Sequence, residues 1–190
     1  MTSGRSDGPE GATAIAGCVT RAEMEVPGAI RESAASGVPL LGVCLGLQLL
    51  MSHGSEFTPH KGLGIIEGDV VRFEGNDAAG APLKVPHIGW TGVYPAGGDK
   101  WSTPVMDGVP AGGLMYFVHS YYVRPADVSI VAANARYESV EFCAAVSRDN
   151  IFACQFHPER SGPTGLLIYR NFADALKRRG SKVAVPIPSV

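Results

Sequence analysis

Short apolar runs separated by glycine and proline turns dominate the chain, and they predict strands and helices in alternation. A helix is predicted over residues 28–35, between Pro27 and Gly37. Residues 38–43 are nearly all apolar, as is typical of a strand buried on both faces, and residues 45–51 have helical apolar spacing. A buried strand that leads directly into a helix indicates an α/β fold.

A region of shorter strands follows, in which glycine, asparagine and proline turns cut the apolar runs. A strong final strand is predicted at 151–156, with a helix after it at 164–178. The shorter strands are predicted at 65–66, 70–73, 83–85, 92–94, 115–118, 129–133 and 143–146.

Composition narrows the functional class. The 190 residues carry 16 basic and 18 acidic side chains, and 45% are hydrophobic, so a single domain with a real core is expected. Without a basic cluster or a long apolar run, neither a nucleic-acid partner nor a membrane partner is expected. The polar start carries no secretory signal, which predicts a cytoplasmic protein. The four cysteines form no C-x-x-C pair, so neither a disulfide framework nor a metal or other cofactor is expected.

The sequence Gly-Val-Cys-Leu-Gly at 42–46 fits a nucleophile held at a tight corner between a strand and a helix. Glycines two positions before and two positions after Cys44 would avoid collisions with neighbouring elements at such a corner. The start of the following helix would favour the thiolate of Cys44. The simpler alternative is a buried cysteine beside a packing glycine.

A cysteine nucleophile needs a base, and His157 is the best placed of the five histidines. It ends the last buried strand, and Pro158 favours an extended backbone that puts Glu159 on the same face. Glu159 could then orient the imidazole. A surface histidine beside a solvated carboxylate is the alternative. The zinc-deaminase reading of H-x-E fails because no cysteine follows Cys154.

Residues 42–48 (GVCLGLQ) together with 155–159 (QFHPE) resemble the class I glutamine amidotransferase domain. Four further stretches resemble the glutaminase subunit of imidazole glycerol phosphate synthase. They are residues 61–64, 85–90, 116–122 and 161–172. The resemblance runs from about residue 26 to 172. It implies a flavodoxin-like α/β fold, with a mostly parallel central sheet flanked by helices and an additional antiparallel β region.

The resemblance also implies roles for individual residues. Cys44 would attack the side-chain amide of L-glutamine to form a thioester and release ammonia, His157 would transfer protons, and Glu159 would orient His157. Substrate would be held by Leu45, whose backbone N–H would contribute to an oxyanion hole, and by Gln48, Ser120 and Tyr121. A cyclase subunit, which receives the ammonia and makes imidazole glycerol phosphate and AICAR in histidine biosynthesis, would dock on a face with His87, Gly89 and Trp90.

The start of the chain departs from the family pattern. The family's opening strand, its turn, its helix and its second strand have no counterpart, so the first strands of the sheet are expected to be missing. The oxyanion loop Pro-Gly-Val-Gly would fall on residues 9–12, where Glu10 replaces a glycine. Residues 1–25 are therefore interpreted as a divergent or disordered start, 26–179 as the amidotransferase domain and 180–190 as a flexible tail.

Three other functions stay open at this point. The chain could be a catalytically impaired interaction partner that keeps the 87–90 docking face. It could be a paralogous amidotransferase that supplies ammonia to another synthase. A cysteine peptidase built on the same corner is the third, and the glutamine at position 48 argues against it.

Overall fold

The computed structural model describes residues 21–56, 58–76, 80 and 82–180. Helices lie at Arg21–Ala35 (α1), Leu45–Leu49 (α2) and Gly162–Gly180 (α3). The strands are Leu40–Val43 (β1), His53–Gly54 (β2), His60–Lys61 (β3), Gly68–Arg72 (β4), His87–Pro95 (β5), Gly113–His119 (β6), Tyr121–Pro125 (β7), Val131–Tyr137 (β8), Val140–Arg148 (β9) and Ile151–Cys154 (β10).

All of these strands join one mixed sheet. Its main path runs β3-β2-β4-β7-β9-β8-β5-β6, while β10 pairs with β9 and β1 pairs with β10. The β1–β10 and β2–β4 pairs are parallel. The other pairs among the described strands are antiparallel. The α/β class is confirmed, but the sheet is not mostly parallel, because tight turns join β8 to β9 and β9 to β10 and such turns permit only antiparallel pairing.

The sheet is covered on both faces, and β10 shows this most clearly. Its four residues are all buried and alternate between two apolar clusters. Ile151 and Ala153 face the cluster that contains Leu47 of α2. Phe152 and Cys154 face a second cluster, which contains Ile168 of α3. The final strand predicted at 151–156 is confirmed, but it ends at Cys154 and leaves residues 155–157 to form the site. The prediction of burial on both faces is wrong for residues 38–43, because β1 begins at Leu40 and only Gly42 in it is buried.

Several element boundaries differ from the prediction. Helix α1 begins at Arg21 and continues through Pro27, because Ala, Glu and Met in residues 21–25 are good helix formers. Residues 65–66 and 83–85 are not strands; Ile66 and Leu83 are buried by packing rather than by strand pairing. Residues 129–133 divide into a 3₁₀ turn and β8. The short strands β2 and β3, and also β7, were not predicted.

The predicted divergent start lies outside the described residues up to position 20, and so does the predicted tail from 181. Among the described residues, no helix has both the length and the apolar character needed to cross a membrane.

Candidate active site

The parallel pairing of β1 with β10 places the two sequence motifs at one edge of the sheet. Val43 lies opposite Cys154, and the backbone N–H of Cys44 donates to the carbonyl of Cys154 at 2.7 Å. Both strands end here, so Cys44 and the segment that leads to His157 leave the sheet at the same edge. The two motifs therefore share one sheet edge. No hydrogen bond among the described residues joins Cys44 Sγ to His157 Nε2, so direct proton transfer between the two side chains stays a prediction.

Cys44 occupies a sharp corner between β1 and α2, with φ 51° and ψ −106°. A positive φ is rare for a residue with a Cβ atom and is common at functional sites. Gly42 is required by close packing, since a Cβ there would lie 2.9 Å from Ala153 Cβ. Gly46 is different, because a Cβ there would meet nothing within 4 Å. The prediction that both glycines avoid collisions therefore holds for Gly42 only.

Two glutamine amides connect the sulfur of Cys44 to the substrate side of the site. The fully buried Gln155 donates from Nε2 to Cys44 Sγ at 3.5 Å. Gln155 Oε1 accepts from Gln48 Nε2 at 3.1 Å. Gln48 Nε2 also donates to the carbonyl of Tyr121 at 3.0 Å. Both hydrogens of the Gln48 amide are therefore used, which leaves its Oε1 for another ligand.

Burial raises the pKa of the Cys44 thiol above its usual value. Hydrogen bonds from the Leu45 backbone and the Gln155 amide lower this pKa, whereas the carboxylates of Glu159 and Glu56 raise it. The expected thiolate is therefore wrong for this state, because helix α2 has only five residues and desolvation outweighs its N-terminus. A thiol at this position needs a base to become a nucleophile.

His157 offers a nitrogen for that purpose. Its Nδ1 lies 2.8 Å from Glu159 Oε1, and Glu159 Oε2 accepts from the Tyr169 hydroxyl at 3.1 Å. Nδ1 is thus the protonated nitrogen, because a carboxylate only accepts. Nε2 is buried and has no hydrogen-bond partner among the described residues, so it is free to accept a proton.

The charge of Glu159 is well supported. Desolvation raises the pKa of its carboxyl, but hydrogen bonds from its own backbone, His157 and Tyr169 outweigh this and lower the pKa. The pKa of Tyr169 is raised to about 12 by burial and by the nearby carboxylate. Tyr169 was not identified from the sequence, because a tyrosine on a helix face carries no recognisable motif.

A cavity of about 290 Å³ opens beside the sulfur. Every residue expected to hold substrate lines this cavity. The full lining is Cys44, Leu45, Gln48, Glu56, Pro86, Val118, His119, Ser120 and Tyr121. Glu56 was not predicted, because it lies in an irregular loop without a motif. Its carboxylate is the one acidic side chain in a cavity whose described lining is otherwise mostly apolar.

The expected docking residues divide between the two faces of β5. His87 is only 2% exposed, so its side chain lies in the core and the prediction of a surface role for it is wrong. Trp90 is 54% exposed and Gly89 is partly exposed. Side chains alternate along a strand, so residues 87 and 90 face opposite ways.

An exposed apolar patch covers the outer face of the β5–β6 pair. Ile88, Trp90 and Leu114 are each more than half exposed. Tyr116 lies opposite Trp90, and the two rings meet edge to face at 5.9 Å. The carbonyl of Tyr116 accepts from the His157 backbone N–H at 2.9 Å, so this patch adjoins the site. Contiguous exposed apolar surface of this kind marks interaction sites.

A cysteine at a strand–helix corner, a cavity beside its sulfur and a carboxylate-oriented histidine at the same sheet edge are features of acyl-transfer sites. A family model described as "Glutamine amidotransferase class-I" matches residues 7–176, which is most of the chain. The protein therefore belongs to the class-I glutamine amidotransferase family, and it is an enzyme of that class.

The similar proteins include imidazole glycerol phosphate synthase subunits named HisH. The one from Syntrophotalea carbinolica is 52% identical over 73% of this chain and 66% of its own length. The one from Rhodopirellula baltica is 48% identical over 84% of this chain and 72% of its own length. The chain thus spans about two thirds to three quarters of the length of these relatives.

Solved structures support the fold. A crystal structure described as a glutamine amidotransferase shares 19% identity with this chain, with a TM-score of 0.55. The match covers 82% of this chain and 70% of that chain. At this identity the likeness concerns the fold alone.

Proposed function

We propose that this chain is the glutaminase subunit of an imidazole glycerol phosphate synthase, acting in the cytoplasm in histidine biosynthesis. The observation that carries the proposal is the Cys44 sulfur at the strand–helix corner, beside a cavity and at the same sheet edge as His157. The names of relatives about half identical to this chain support the choice of pathway. We further propose that the amidotransferase domain comprises residues 26–179.

Hydrolysis would proceed through a thioester. Cys44 Sγ attacks the side-chain carbonyl carbon of L-glutamine while its proton passes to His157 Nε2. The C–N bond breaks, and that proton leaves with the nitrogen as ammonia. Water then adds to the thioester, the C–S bond breaks, and glutamate and the thiol are released. Glu159 stabilises the transient imidazolium through the 2.8 Å contact.

The cavity would recognise the substrate by charge and by hydrogen bonds. The backbone N–H of Leu45, next to the nucleophile, would donate to the oxyanion, a contribution of about 3 kcal/mol for one such donor. The carboxylate of Glu56 is suited to the α-ammonium group, and the free Oε1 of Gln48 is a second acceptor for it. The backbone around Ser120 and Tyr121 borders the same cavity and would hold the other end of the amino acid.

The cyclase subunit would cover the exposed patch formed by Ile88, Trp90, Leu114 and Tyr116, with Gly89 in the same strand. This patch adjoins His157 through the Tyr116 carbonyl, so ammonia released at the site would leave beneath the docked partner. Hydrophobic aromatic residues at the centre of an interface commonly provide most of its binding energy. The partner would use the ammonia to make imidazole glycerol phosphate and AICAR.

The test compares two nitrogen sources in the complex of this chain with the cyclase subunit. With Cys44→Ala we expect no synthesis from glutamine and unchanged synthesis from ammonium salts. Cys143→Ala is the matched control, because Cys143 is a free, buried cysteine away from the corner. Glutamine-dependent synthesis by Cys44→Ala would refute the assignment of the nucleophile. Partner binding without any turnover by the unmodified chain would instead favour an impaired interaction partner.

A further inference from the structure

Two histidines are buried side by side between the docking strand and the substrate cavity. His87 on β5 lies opposite His119 on β6, and they are 2% and 6% exposed. Their rings pack among aromatic side chains; Phe142 meets both of them, at 6.0 and 5.2 Å. Buried polar rings in such surroundings are expected to have hydrogen-bond partners.

The partners fix the direction of every hydrogen bond in this pair. The carbonyl of Tyr121 can only accept, so His119 Nδ1 is the donor in their 2.8 Å contact. His119 Nε2 is then the acceptor for His87 Nδ1 at 3.0 Å. His87 Nε2 in turn accepts from the Thr91 hydroxyl at 2.9 Å. This assignment needs both rings neutral, and burial lowers the pKa of each histidine from 6.5 to about 4.

The chain of hydrogen bonds continues to the sulfur. The Tyr121 carbonyl that receives His119 also receives the Gln48 amide at 3.0 Å. Gln48 fixes the amide of Gln155, and Gln155 donates to Cys44 Sγ. An amide that lost this support could flip, and the sulfur would then face an oxygen instead of a donor. The polar chain therefore connects Thr91, next to the exposed Trp90, with the nucleophile.

We propose that His119 and His87 are positioning residues, which hold the Gln48 and Gln155 amides in the orientation that serves Cys44 and the substrate. The role rests on the proposed glutaminase function, and it extends that function to two residues that act through the Gln48 and Gln155 amides. The donor at His119 Nδ1 is the essential group, because it alone among these ring nitrogens contacts the Tyr121 carbonyl directly.

Two substitutions of His119 separate this donor from simple packing. His119→Asn keeps an N–H donor near the Nδ1 position, whereas His119→Gln moves the amide to the Nε2 position and loses that donor. We expect His119→Gln to lower kcat/KM for glutamine about tenfold, chiefly through KM, while His119→Asn keeps most of the activity. Phe142→Leu is the packing control, because it disturbs the same cluster without removing a hydrogen bond.

The decisive readout is the pH dependence of Cys44 alkylation in the full chain, with the Cys44 peptide quantified by mass spectrometry. Since the Gln155 amide lowers the pKa of this thiol, His119→Gln should move the alkylation midpoint upward by about one pH unit. Carboxylates near the thiol, Glu159 and Glu56, are unchanged in all variants. His119→Asn and Phe142→Leu should keep the midpoint of the unmodified chain.

The inference is overturned if His119→Gln leaves the midpoint unmoved, or if His119→Asn or Phe142→Leu moves it equally. Should His119→Gln fail to fold, Thr91→Val is tested instead, because it removes the hydroxyl at the far end of the chain of hydrogen bonds. Thr91→Ser keeps the hydroxyl and is its control. An upward shift in Thr91→Val alone supports the inference, and equal midpoints in this pair contradict it. Absence of glutamine hydrolysis by the unmodified complex would refute the proposed function, while the alkylation profiles would still decide the role of the histidines.

Discussion

Replacing Glu159 by glutamine tests the acid–base pair directly. In the structure its Oε1 lies 2.8 Å from His157 Nδ1, with side-chain exposures of 46% for Glu159 and 21% for His157. In the proposed mechanism His157 takes the proton from Cys44, and a positive charge then forms next to this carboxylate. Glu159→Gln removes the negative charge and keeps the side-chain shape, so it reports on electrostatic support rather than packing.

The expected loss follows from the geometry. Opposite unit charges about 4 Å apart attract by about 4 kcal/mol at an effective dielectric constant of about 20. Glu159 is nearly half exposed, so solvent screening reduces this to about 2 kcal/mol, which corresponds to about a thirtyfold fall in kcat. Tyr169→Phe keeps the carboxylate and removes only the 3.1 Å hydrogen bond, so a loss of about 1 kcal/mol, or about fivefold, is expected.

The assay is steady-state glutamate formation at saturating glutamine, with the cyclase subunit present. Circular dichroism and a partner pull-down establish that both variants fold and bind equally. A Glu159→Gln variant within about twofold of the unmodified kcat would refute the reasoning, as would a larger loss for Tyr169→Phe than for Glu159→Gln.

Three further outcomes are expected. Cys44→Ala should abolish glutamine hydrolysis yet retain partner binding in a pull-down. Gly42→Ala should lower the free energy of unfolding by about 1–3 kcal/mol, because its Cβ would lie 2.9 Å from another Cβ, whereas Gly46→Ala, with nothing within 4 Å, should leave thermal unfolding unchanged. Folding lowers the pKa of His87 and His119 from 6.5 to about 4. As the pH falls below 6.5, these two histidines therefore bind protons in the unfolded chain but not in the folded protein. Stability should therefore be constant above about pH 7 and lower by about 2 kcal/mol per histidine at pH 5, measured by urea denaturation at both pH values.

The placement of the two motifs could be predicted because it depends on local pattern. A nearly all-apolar run directly before Cys44, and another apolar run shortly before His157, indicate strands, and the ends of parallel strands meet at one sheet edge. The residues that line the cavity were harder to predict from the sequence. Glu56 joins it from a loop, and loop positions follow from tertiary packing rather than from periodicity.

The errors also have physical causes. His87 and Trp90 were assigned to one surface, although three positions along a strand reverse the direction of the side chain. The thiolate was expected from the helix start alone, whereas burial of Cys44 has the larger effect on its pKa. The additional antiparallel region implied by the resemblance is confirmed, and it is larger than expected because tight turns join β8 to β9 and β9 to β10.

The backbone of Cys44 has a practical consequence for engineering. Its φ of 51° and ψ of −106° suit glycine better than any residue with a side chain, and the mismatch costs about 1–3 kcal/mol. Glycine at this position would therefore raise the melting temperature while eliminating turnover. Libraries sorted only by expression yield or heat resistance would enrich inactive clones at this site, so selection should require growth on glutamine as the sole nitrogen donor for the pathway.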